Sequence, residues 1–69
     1  MTYDEAKVIL KDDIGPTGGL CNSSWFLEWE PRRGDIATLD GMFSVEDLEA
    51  IAAYMKGTLE TKGTKSNGQ

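Results

Sequence analysis

Near the amino terminus, Tyr3, Ala6, Ile9 and Leu10 recur at helical spacing behind Thr2 and Glu5, which together form a capping-box pattern. This predicts a helix over residues 3–12, with a strand as the open alternative, because Ala6, Val8 and Leu10 also alternate with Lys7 and Lys11. Between Asp13 and Ser24, the residues Gly15, Pro16, Gly18, Gly19, Asn22 and Ser23 interrupt either period, and a loop is expected. From Ser24 to Glu30 the period is two: Trp25, Leu27 and Trp29 share one face, and Phe26, Glu28 and Glu30 the other. That is the pattern of a half-buried strand. Pro31 ends it, and Gly34 suits the left-handed position that closes a short hairpin loop. Asp35 to Leu39 is therefore expected to return antiparallel, with Arg32 and Arg33 at the tip.

Asp40 and Gly41 turn the chain again, into Phe43-Ser44-Val45-Glu46-Asp47-Leu48. Ser44 is a natural N-cap, Glu46 and Asp47 place negative charge in the first turn, and Phe43 can staple onto Leu48 across the cap. Val45, Leu48, Ile51, Ala52 and Met55 fall on one side of the predicted helix, the side expected to lie on the hairpin, and Gly57 is the expected stop. Beyond it, Leu59 is the one sizeable apolar residue before Gln69. The pattern therefore predicts a small α+β domain in the order α-β-β-α, an antiparallel β-hairpin packed against a C-terminal helix. That domain spans residues 1–57, and residues 58–69 form a disordered, flexible polar tail.

Size and composition narrow the function. The chain has 69 residues, and folds below about 70–80 residues usually add a disulfide, a metal or a second subunit to a small core. Cys21 is the single cysteine and histidine is absent, so an internal disulfide and the usual zinc ligand sets are excluded. Residues 1–55 carry eleven acids against Lys7, Lys11, Arg32 and Arg33, a balance of −7, whereas residues 56–69 carry +2. An acidic body disfavours direct nucleic-acid binding, which draws on basic residues. No apolar run is long enough to span a membrane and no export signal is recognisable, so a cytoplasmic location is expected.

No catalytic set assembles from these residue types. Cys21 lacks a base, and the acids at Asp12-Asp13 and Glu46-Asp47 are sequence neighbours suited to solvated or capping roles. Gly15-Pro16-Thr17-Gly18-Gly19 lacks the Gly-Lys-Ser/Thr ending of a phosphate loop, and Arg33-Gly34-Asp35 is accounted for by its turn. The chain is accordingly expected to be no enzyme and to hold neither metal nor cofactor. Two features point instead to a partner. With Trp25, Leu27 and Trp29 on the helix, Phe26 faces outward among Glu28, Glu30, Arg32 and Arg33, resembling an aromatic anchor with a charged rim. On the back of the last helix, Ala50, Ala53 and Tyr54 form a small-residue strip that lets another helix approach closely.

The stretch Leu39-Asp40-Gly41-Met42-Phe43-Ser44-Val45-Glu46-Asp47-Leu48-Glu49-Ala50-Ile51-Ala52 resembles the strand-turn-helix end of small accessory proteins of tailed bacteriophages and prophages, over residues 25–57. The resemblance implies a host-takeover or anti-defence role, in the host cytoplasm. The expected function is thus a non-catalytic protein-binding module that modulates a host protein, with a homodimer as one form. The alternative is an acidic nucleic-acid mimic that occupies the basic groove of a DNA- or RNA-binding protein.

Overall fold

The computed structural model describes residues 1–22 and 27–63. In chain order it contains α1 (Tyr3–Ile9), β1 (Leu20–Asn22), β2 (Leu27–Trp29), a 3₁₀ turn (Pro31–Arg33), β3 (Thr38–Leu39) and α2 (Val45–Gly63). The α+β class and the hairpin against a C-terminal helix are as the pattern predicts. At the first element the helix prevails over the strand, and its capping box is complete. The Glu5 amide donates to Thr2 Oγ1 at 3.1 Å, and the Thr2 amide donates to Glu5 Oε1 at 2.8 Å.

The expected loop over Asp13 to Ser24 is corrected, because it contains a strand. β1 pairs antiparallel with β2, placing Leu20 opposite Trp29 and Asn22 opposite Leu27, and the sheet order is β1-β2-β3. The Gly15 amide donates to the Gly19 carbonyl at 2.8 Å, closing a tight turn that lets Ile14 bridge Leu20. Gly19 is needed where the backbones meet, since a Cβ there would fall 2.5 Å from the Trp29 carbonyl oxygen. Leu20 then sinks into the core.

β2 alternates as expected, with Leu27 and Trp29 buried and Glu28 exposed. Pro31 opens the turn, Gly34 takes φ +76°, and the buried Trp29 indole donates to the Gly34 carbonyl at 2.8 Å. β3 returns antiparallel, with Leu39 opposite Leu27 and Thr38 opposite Glu28. Trp25 and Phe26 lie outside the described residues.

Ser44 caps α2 as expected: the Asp47 amide donates to Ser44 Oγ at 3.0 Å, and the Ser44 amide donates to Asp47 Oδ2 at 3.3 Å. Phe43 turns toward Leu10 and Ile51 around a small cavity, while Leu48 lies over a separate groove. Two expectations for this helix are corrected. α2 runs through Gly57 to Gly63, with Thr58 buried and Leu59 packed against the core, so residues 58–63 continue the helix where a tail was expected. Gly57 does not stop the helix because it serves a packing contact: the ring of Tyr3 occupies the space a Cβ would need.

The buried stripe of α2 is also rotated. Ala50, Ile51, Tyr54, Met55 and Thr58 are buried, whereas Val45 is 72% and Leu48 44% exposed and Ala52 lies on the surface. The reason is α1, which packs along α2 with Ala6 and Ala50 both fully buried. Tyr3 stacks on Tyr54 at 5.5 Å and 11°, and Trp29 meets Tyr54 edge-on at 6.1 Å. The Tyr54 hydroxyl escapes unpaired burial by donating to the Gly18 carbonyl at 2.7 Å. α2 therefore turns its small residues and Tyr54 to two neighbours at once, which leaves part of its larger apolar residues outside.

Candidate protein-binding groove

The residues singled out from sequence separate into three groups. Ala50 and Tyr54 are buried and are corrected from surface contacts to core, while Ala53 is half-buried against that core. The close helix approach inferred from these small residues does occur, but its partner is α1 of the same chain. Glu28, Glu30, Arg32 and Arg33 are exposed and pair among themselves. Arg32 Nε lies 2.8 Å from Glu30, Arg33 Nη1 lies 3.9 Å from Glu28, and Arg33 Nη2 donates to Thr38 Oγ1 at 3.2 Å. Exposed pairs of this kind contribute about 0–1 kcal/mol each, so they set the shape and polarity of the hairpin tip more than its stability. Phe26 lies outside the described residues.

The apolar surface that the fold leaves open lies elsewhere. Leu39 stands opposite Leu27, and directly paired residues share a face, so Leu39 points to the α2 side of the sheet. The sheet ends at β3 and does not reach across α2. Between them runs a groove of about 300 Å³, floored by Ala37, Leu39, Leu48, Ala52 and Met55. Leu39 is 39% and Leu48 44% exposed, and Asp35 and Lys56 are the charged side chains on the lining. Among the described residues β3 has a strand neighbour on one side only, so an open strand edge borders an apolar floor. An extended chain laid there gains main-chain hydrogen bonds from the edge and sites for alternate side chains from the floor.

The signal for this groove was present in the sequence as the apolar face Val45-Leu48-Ile51-Ala52-Met55. The helical period alone lays that face on the hairpin, since nothing in it shows how little of the face a sheet of two- and three-residue strands covers.

The remaining polar groups serve local structure. The small cavity beside Leu10 and Phe43 holds Asp13, which accepts from the Asn22 amide at 2.6 Å, and Asp47, which belongs to the Ser44 cap. The Thr2 amide, donating to the Glu5 carboxylate, holds that carboxyl below its ordinary value with help from the Thr2 side chain, while burial pushes the Tyr54 phenol up. Cys21 is an exposed free thiol on β1. Among the described residues, no three acidic, histidine or cysteine side chains converge as metal ligands, and no helix is long and apolar enough to cross a membrane. The chain has no significant match to a family model, a curated protein or a solved structure.

Proposed function

We propose that this chain is a non-catalytic protein-binding module that receives an extended segment of a partner protein beside β3, over the uncovered apolar face of α2. The observation that carries this reading is the groove itself. Leu39, Leu48 and Ala52 remain accessible beside an open strand edge in a domain too small to leave apolar area unused without cost. The resemblance of residues 25–57 to phage accessory proteins supports a host protein as the partner. The charged hairpin tip flanks the groove's strand as a polar rim.

The acidic-mimic reading makes a different demand. A mimic binds through its carboxylates, whereas a segment seated on Leu39, Leu48 and Ala52 draws on apolar contact and main-chain bonds. Capture of partners by the immobilised chain from bacterial lysate separates the two when washed at low salt and at about 1 M, where the Debye length is about 3 Å. The groove reading expects a protein retained at both concentrations and lost when Ala52→Glu places a charge on the floor. Release of every captured protein at high salt would favour the mimic. A stable dimer by light scattering, with no captured protein, would assign the groove to self-association.

A further inference from the structure

α2 carries a second uncovered flank, where it lies beside the outer side of α1. Met1, Val8 and Ile9 stand there with Glu5, Glu46 and Glu49 around an open cleft of about 530 Å³. Val8 is 72% exposed, and Met1 and Ile9 are also accessible. Glu46 and Glu49 have no ion pair among the described residues, and Glu5 bonds within its own capping box. Glu5 and Glu46 also suit the starts of their helices, but Glu49 lies in the second turn of α2 and has no capping role.

We propose that this cleft is a docking surface for a cationic amphipathic helix of a partner protein. The charges select the occupant. A second copy would set its carboxylates against these, and nucleic acid or an anionic membrane surface would be repelled. Lysine or arginine beside apolar side chains matches both halves of the lining. The backbone selects the form: both walls are helices, which offer no open strand edge to an extended chain, so the occupant must satisfy its own main-chain groups, as a helix does. Two helices side by side also present ridges between which a third can pack. This surface lies on the opposite flank of α2's exposed side from the groove beside β3, and does not depend on it.

The test uses the full chain and a synthetic peptide of leucine and lysine at helical spacing, with a shuffled peptide of the same composition and a leucine–glutamate peptide as controls. The expected result is binding of the amphipathic basic peptide alone, with amide shift changes confined to the segments around Val8, Ile9, Glu46 and Glu49. Val8→Ser and the pair Glu46→Gln with Glu49→Gln should each weaken binding, the pair by about threefold to tenfold. Leu48→Ser, which alters the other groove without changing charge, should leave it unchanged. Equal binding of the shuffled or acidic peptide, no weakening in these variants, or shift changes centred on Leu39 and Leu48 would each overturn the proposal.

Discussion

The ring of Tyr3 lies against the α-carbon of Gly57, in the space a side chain at that position would need. Glycine inside a helix ordinarily costs about 0.8–1.0 kcal/mol relative to alanine, so Gly57→Ala on an exposed helix would stabilise. Here the opposite sign is expected. The ring is held on its other side by stacking on Tyr54, and the added methyl must displace it. Overpacking of this kind costs about 1–3 kcal/mol. Chemical denaturation should show the loss, and in a Tyr3→Ala background the same substitution should be much less harmful.

Tyr54 links α2 to the turn before β1 through its bond to the Gly18 carbonyl. Tyr54→Phe keeps the ring stacking and removes that bond, at an expected cost of about 0.5–1.5 kcal/mol. Burial raises the folded-state pKa of this phenol above its ordinary 10.0. The folded chain thus holds the proton more tightly than the unfolded chain. The stability this contributes is complete below the unfolded pKa and is lost as pH rises through the folded one. The thermal midpoint should fall above about pH 10, and more steeply in the natural chain than in Tyr54→Phe.

Ser44 satisfies the Asp47 amide at the start of α2. Ser44→Ala should therefore cost about 0.5–2 kcal/mol, read as a lower denaturant midpoint with an unchanged slope.

Ending the chain after Gly57 removes Thr58, which is buried and donates its hydroxyl to the Tyr3 hydroxyl at 3.4 Å, and also Leu59, which packs against the core. A loss of at least about 1 kcal/mol is expected, which lowers the midpoint of a domain this size by about 4–8 °C. An unchanged midpoint would show that the last turns of α2 contribute nothing to the fold.

The parts of this fold legible in the sequence are those fixed by local chemistry. Thr2 with Glu5, Pro31 with Gly34, and Ser44 with Asp47 each mark a boundary through bonds a few residues long, and Leu27 and Trp29 mark a face through alternation. What was not legible depends on contacts distant in sequence. β1 is three residues long and follows glycines, so it has no period to read, and Gly19 acquires its meaning only from the Trp29 carbonyl. Gly57 reads as a helix stop until Tyr3 is placed against it. The same limit governed the site. The helical period places Leu48 and Ala52 on an apolar face, but whether that face is buried depends on the reach of β3 and on α1 occupying the neighbouring one.

On this reading the uncovered face of α2 serves binding and not folding. This is tested most directly by Leu48→Asp, measured for thermal stability and for retention of the protein captured at high salt. The substitution falls near the start of α2, where a negative charge is compatible with the helix dipole. Stability within about 0.5 kcal/mol of the natural chain is expected together with loss of the captured protein. Retention undiminished, or a variant that no longer folds, would contradict it.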